Sequence, residues 1–503
     1  MRIQDLLKEE LSDMAGKKLK AEEGMKTTEL DFSNFANATR ETYEAILDKD
    51  FVPSCPRTYK ILKSKLQSCQ ENFPKVYQKM FIDPLLTYID NTGEATVNWQ
   101  ISRDGEDSDF ALLARPILQR CSDLDQVATD AFQEVVSDLY DGFLSEEDRE
   151  EVKHPDFIVV APLVSWQSSW EYSDGQIAPN GPCTYTSDLL MNYFGIEMGI
   201  VNLPVQLGRN GLLTWAALGH ETTGHDILHA DAGLIEELNG AVKDALLKGN
   251  IDPFLAEYWS YCFEESASDV MGILNMGPAV AVATIGFFRA LNAVIYKNRQ
   301  FKLDNVGISE DVHPADILRG YLAASVVRLL EFNGADKWAD YIEAETDKDL
   351  ATIRLDAKPE DPNSGKVIAP DEAKKSAEIV AKTIVEGKMK SLEDHSLGEI
   401  QNWKDNDESI VNELRSHFGT LDPIPDIYAK GVYAAHVVAA AVIAAVSGDA
   451  EIDRIFTDMI SILKLMHDDN PVWKMTMTYL EHPGDLAFQG RRLLSSRLFD
   501  KGW

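Results

Sequence analysis

The sequence predicts a mostly α, α+β fold, and three observations carry the prediction. Apolar residues recur at three- and four-residue steps over most of the 503 residues. Runs of β-branched residues are concentrated in a middle stretch that also holds many Gly, Pro, Asn and Ser residues. No internal repeat and no low-complexity tract breaks the pattern. At about 150 residues per domain, the chain has room for two to four domains with large cores.

Residues 1–150 read as a helical N-terminal region. IQDLLKEEL, RETYEAILDKD, ALLARPILQRC and DQVATDAFQEVVSDLYDGFL each gather their apolar residues on one helical face. From Asp156 the texture changes: FIVVAPLVSW and GIEMGIVNLPVQL are expected as strands, and SSWEYSDGQIAPNGPCTYTSD between them as a loop. A helical pattern resumes from Gly211 to Asn298 and again from Pro314 to the end, broken around Lys358 to Pro370. The expected division is therefore 1–150, a core at 151–300, and a helical region at 301–503. Two apolar stretches approach membrane length. Val270 to Phe288 is interrupted by Asn275, Gly277 and Pro278, and Tyr433 to Val446 is short and carries His436, so both are expected as buried helices.

Charge narrows the partners. With 48 Lys+Arg against 83 Asp+Glu, the formal net charge is −35. Such a field repels phosphate backbones and anionic headgroups, which argues against nucleic acid and acidic membrane. Cys55, Cys69, Cys121, Cys183 and Cys262 form no CxxC pair, which argues against a disulfide framework and a cysteine zinc site. MRIQDLLKEELSDMAGKKLK has no secretion signal, so a reduced cytoplasm is the expected setting.

Two segments carry chemistry. In ALGHETTGHDILHADAGLIEEL, His220, His225 and His229 fall within ten residues, with Glu221 beside the first. Such a cluster either binds a metal or caps its own helix. In FLAEYWSYCFEESASDVMGIL, Glu265 and Asp269 are i, i+4 and share one helical face. Their neighbours Tyr261, Cys262, Val270, Met271 and Ile273 are mostly apolar, so the carboxylates are expected to point inward, the alternative being an exposed acidic stripe. A zinc ion held by two histidines would pair with Glu265, while Asp269 would accept the free N–H of a ligand histidine.

Two histidine pairs compete. On a regular helix His225 and His229 lie about 40° apart, with Asp226 in the place of a base, whereas His220 and His225 lie about 140° apart. Gly224 favours the second pair, because a π-type widening there would return His220 and His225 to one face.

Together the segments resemble the gluzincin class of zinc metallopeptidases. Glu265 to Gly272 is similar to the Glu-x-x-Ser-Asp-apolar-apolar-Gly layout of thermolysin-like enzymes. His220 to His225 departs from their HExxH by one residue and resembles the HExxGH of dipeptidyl peptidase III, whose second motif also opens with two glutamates, as Glu264 and Glu265 do. Ala232 to Ile235 falls where thermolysin-like proteins carry a similar run, and the resemblance spans roughly residues 211–290. It implies a zincin-like core at 151–300, with His220, His225 and Glu265 as ligands of Zn2+ and an open position for water. Glu221 would be the general base and Asp269 the orienter of a ligand histidine. The donor to the oxyanion has two candidates, His313 and Tyr321, in SEDVHPADILRGYLAAS. Imidazole with one carboxylate favours zinc over harder metals, and the loop from Trp166 to Tyr185 is a candidate substrate wall.

The activity so implied is zinc-dependent hydrolysis of peptide bonds in peptides or small proteins. A metal hydrolase of a non-peptide amide or ester stays open. So does a metal-binding scaffold without turnover, although Glu221 would have no task in one.

Overall fold

Amphipathic spacing of apolar residues makes the fold mostly α, with three small sheets among the described residues. A computed structural model of the protein describes residues 30–122, 124–144, 160–173, 176–296, 300–419 and 431–473. The expected helix at IQDLLKEEL and the FIV start of the first expected strand lie outside them. The described residues from Phe32 onward pack as one unit.

Helix α1 (Phe35–Leu47) buries one face through Phe35, Ala38, Thr42 and Ile46. Helices α2 (Tyr59–Cys69), α3 (Asp83–Thr92), α4 (Glu94–Asp104) and α5 (Asp109–Gln119) share a core. Leu66, Phe81, Ile89, Phe110 and Ile117 fill it together with the strand residues Leu163 and Ile200. Helix α6 (Gln126–Leu144) follows. Strand β1 (Leu163–Gln167) is pinned from both sides. The Gln119 amide exchanges hydrogen bonds with the Trp166 backbone, and Trp166 Nε1 donates to Thr129 of α6 at 2.8 Å.

Part of the expected loop is regular. Strands β2 (Trp170–Ser173) and β3 (Gln176–Pro179) pair antiparallel, and β4 (Cys183–Tyr185) forms a further strand before α7 (Ser187–Phe194). Asp-Gly at 174–175 is the sequence signal for the hairpin, outweighed in the local reading by the density of turn residues. Strand β5 (Ile200–Pro204) completes the first sheet. It runs parallel to β1 and antiparallel to β4, which leaves β4 at the edge.

Helices α8 (Leu234–Lys248), α9 (Pro253–Tyr261), α10 (Phe263–Met276) and α11 (Pro278–Ile295) follow. Gly277 at φ +72° and Pro278 separate α10 from α11, as Val270 to Phe288 leads one to expect. Among the described residues α11 alone is long and apolar enough to cross a membrane, and 67% of it is buried inside the protein. Strand β6 (Val306–Ile308) precedes α12 (Asp316–Val327) and α13 (Ala335–Asp347). Strands β7 (Ile353–Ala357) and β8 (Lys366–Ile368) then lead to α14 (Pro370–Glu386).

The sheet β6-β7-β8 stands where the sequence predicts only helices and a break. Its strands are three to five residues long and find partners far along the chain, so no local period announces them. Helices α15 (Asp405–Arg415), α16 (Ala434–Val446) and α17 (Ile452–Asp469) close the described chain, with α16 buried as expected. Helix α12 packs on α10, α13 and α14, and α11 packs on α1. These contacts set the walls of the cleft described next.

Candidate metal centre

The histidine segment is not a regular helix. A 3-10 turn at Leu212–Ala216 leads through Ala217–Gly219 into a π-helix over His220–Asp226. The widening expected around Gly224 is therefore present, and it places His220 Nε2 and His225 Nε2 only 3.1 Å apart. Glycine is required there by contact: a Cβ on Gly224 would lie 2.2 Å from Ser268 Cβ of α10. Gly272 of α10 meets the π-helix in the same way, since its Cβ would lie 3.0 Å from the His220 nitrogen. Backbone thus touches backbone, and Glu265 and Asp269 rise beside the histidines.

Each imidazole is oriented by a carboxylate. His220 Nδ1 donates to Asp269 Oδ1 at 2.9 Å, and His225 Nδ1 faces Glu264 Oε1 at 3.4 Å. With both Nδ1 protons committed there, the two Nε2 lone pairs face each other, and only a proton or a metal cation between them removes the repulsion. Glu265 reaches both with different oxygens, Oε2 3.3 Å from His220 Nε2 and Oε1 3.4 Å from His225 Nε2, so one donor atom from each residue lies within 4.8 Å of the others. Zinc–nitrogen bonds of about 2.0–2.1 Å in a tetrahedron require ligand atoms roughly 3.3–3.4 Å apart. The two nitrogens, 3.1 Å apart, come close to that edge. Burial agrees, because Glu265 Oε2 is buried and makes no hydrogen bond to any described residue.

Arg319 of α12 holds Asp269 in a two-pronged fork, Nε to Oδ2 and Nη2 to Oδ1, both at 2.7 Å, and stacks on Phe288 at 4.4 Å. The electrostatics follow from this arrangement. Burial disfavours a charged imidazole, yet the surrounding acids outweigh it: His220 is raised, and Glu264, Glu265 and Glu221 push His225 up to about 10. Against the cost of burial, Arg319 and His220 draw Asp269 down to about 2, and His220 and His225 hold Glu265 far below the usual carboxylate range. The corner is a trap for positive charge.

The competing pair does not converge. His229 Nε2 lies 3.3 Å from Glu264 Oε1 and its Nδ1 3.6 Å from Asp188, one carboxylate removed from His225. Asp226 is buried and accepts from the Ser187 backbone at 2.7 Å and from its hydroxyl at 2.9 Å, so it ties the π-helix to the start of α7.

Glu221 lines the same cleft as His220. The Thr184 hydroxyl of β4 donates to Glu221 Oε2 at 2.8 Å, and both Glu221 and Glu265 line a cleft of about 170 Å3. Leu213, Phe287, Phe288 and Leu291 form its apolar wall. From the loop proposed as a substrate wall, Gly181 and Pro182 line the cleft. Two aromatics of that loop do other work, Trp166 in the core and Trp170 against α1, where its Nε1 donates to Ile46 O at 3.2 Å.

His313 lies exposed at the rim, its Nδ1 2.8 Å from Asp311 Oδ1 and its Nε2 3.5 Å from Glu265 Oε1. Tyr321 must be corrected. It follows Arg319 by two residues on α12 and so faces the other way, where its hydroxyl donates to Asp347 at 2.9 Å beneath Lys374. It does not line the cleft.

Arg319 and Thr184 went unread in the sequence. Arg319 had a signal, being the single basic residue in the apolar helix DILRGYLAASVV, where a cation needs a buried acid. Thr184 had none, since its position depends on sheet pairing. No family model, curated protein sequence or solved structure matches the chain.

Proposed function

We propose that the protein is a zinc-dependent peptidase of the gluzincin kind, with His220, His225 and Glu265 as metal ligands and Glu221 as general base. The convergence of the two Nε2 atoms, 3.1 Å apart, with one carboxylate whose two oxygens lie 3.3 and 3.4 Å from them carries the reading, because one cation could be held by all three residues. Zinc held there would supply a Lewis acid that polarises a carbonyl and lowers the pKa of water. Glu221, steadied by Thr184, takes the proton from the attacking water and delivers it to the leaving amine. Asp269, braced by Arg319, keeps His220 in the tautomer whose Nε2 is free to bind. His313, aimed by Asp311, is the donor placed to meet the oxyanion. The apolar wall suits a peptide side chain better than a small polar amide, which favours peptides or small proteins as substrates.

The test is metal analysis of protein purified without chelator, followed by a peptide-library digest with and without chelator. About one zinc per chain and chelator-sensitive cleavage are expected, with zinc lost in His220→Ala and kept in His229→Ala. A protein that takes up no transition metal overturns the reading. Cleavage confined to non-peptide amides or esters replaces the substrate class.

A further inference from the structure

One turn at the end of α9 grips the loop that carries His313. Tyr258, Tyr261 and Cys262 stand at i, i+3 and i+4, so they share one face at the corner where α9 gives way to α10 with its Glu264 and Glu265. That face meets the loop between β6 and α12 at three places. The Tyr258 hydroxyl accepts the Ala315 N–H at 3.0 Å, and the Tyr261 hydroxyl donates to Glu310 O at 3.0 Å. The Cys262 thiol donates to Asp311 O at 3.9 Å. Gly307 is glycine for the same close approach, since a Cβ there would lie 2.2 Å from the Tyr258 hydroxyl.

The tip of the loop needs such a grip. Residues 310–313 are all exposed, Val312 included, so burial contributes little to their placement. Glu310 stands in the left-handed region at φ +69°, where a residue with a side chain stays only if its surroundings hold it. The Ser309 N–H donates to Ala357 O of β7 at 2.7 Å, which fixes the start of the loop. Beyond it the Tyr261 hydroxyl takes over.

From the tip the contacts run on to the cleft. The Glu310 carbonyl adjoins Asp311, whose Oδ1 accepts the His313 backbone N–H at 3.0 Å and lies 2.8 Å from His313 Nδ1. His313 Nε2 then lies 3.5 Å from Glu265 Oε1. We infer that Tyr261 is a positioning residue: through the Glu310 carbonyl it fixes Asp311, and through Asp311 it aims His313. This role rests on the peptidase reading, in which His313 meets the oxyanion. The corner between α9 and α10 thereby serves twice, presenting Glu265 and placing His313, so that ligand and donor keep their spacing.

The experiment compares the zinc-loaded full chain with Tyr261→Phe, His313→Ala and the double variant, on a peptide that the wild-type chain cleaves. Tyr261 is 54% exposed, so removing its hydroxyl spares the packing, and Tyr261→Phe should fold and retain its zinc. It should lose about tenfold in kcat with KM unchanged, because a misplaced donor fails mainly in the transition state. His313→Ala should lose on the order of a hundredfold, and adding Tyr261→Phe to it should cost nothing more, as expected of two residues that act through one. A second readout needs no turnover: hydrogen exchange at the Asp311 and His313 amides should quicken several-fold in Tyr261→Phe, while α9 and α10 keep their protection. If the wild-type chain cleaves no peptide, the peptidase reading fails, and the exchange rates still decide whether Tyr261 holds the loop. With wild-type cleavage intact, losses that multiply in the double variant, or unchanged exchange in Tyr261→Phe, overturn the inference.

Discussion

Neighbouring residues of α11 serve two buried ionic clusters built in opposite ways. Arg289 sends Nε to Asp349 at 2.7 Å, Nη1 to Glu345 at 3.0 Å and Nη2 to the Glu345 carbonyl at 2.9 Å. Lys348 takes the other Glu345 oxygen, and the Leu303 N–H donates to Asp349, so two cations meet two acids and the set closes on itself. Phe288, one residue earlier, lies under Arg319 at the histidine corner. There Glu221, Glu264, Glu265 and Asp269 outnumber one arginine, and two imidazole nitrogens converge with a carboxylate. A polar cluster that satisfies itself holds a fold together. The second leaves acceptors converging, and on this the proposed metal site rests.

The contrast can be broken at several points. The largest effect is expected at Glu221→Gln, which should keep its zinc and lose about a thousandfold in kcat, since the amide has the same shape and accepts no proton. Undiminished turnover would remove Glu221 from the chemistry. Next comes Arg289→Met, which leaves Asp349 buried without a cation and Glu345 with Lys348 alone, and should cost about 3–5 kcal/mol in urea unfolding. Its zinc content per folded molecule should not change, and parallel loss of metal would merge the two clusters.

Asp269→Asn should do the reverse, weakening zinc affinity roughly ten- to hundredfold in chelator competition while moving stability less than Arg289→Met does. An unchanged affinity would mean that Asp269 only partners Arg319.

The smallest effect concerns Glu41 of α1, which accepts the Gly211 N–H before the π-helix. Burial pushes its carboxyl from 4.5 up to about 7, so the fold favours the neutral acid. Its contribution is complete below about pH 4.5 and is lost as pH rises through 7. Melting temperature should therefore carry a downward slope with pH across this window, and Glu41→Gln should flatten it. An identical slope in the variant would assign the pH dependence to other groups.

His220, Glu221, His225, Glu265 and Asp269 are legible in the chain because each set lies within one helical segment, where spacing alone decides what shares a face. Even the π-helix has a local cause, a glycine between the histidines, although its reason for being glycine is Ser268 on another helix. The helical elements are legible for the same reason, their apolar period being local.

What lies between segments is not. Thr184 reaches Glu221 only because β4 pairs with β5, and β6, β7 and β8 exist only as partners of one another. His313 and Tyr321 show the limit best. Helix α12 is buried almost all round, through Ile317, Leu318, Tyr321, Leu322, Val326 and Val327, so it has no apolar stripe to say which side meets α10. Packing against α10 on one side and α13 and α14 on the others turned Arg319 toward Asp269 and the histidines and Tyr321 away from them, a choice that rests on contacts between distant stretches of chain and leaves no period in the sequence.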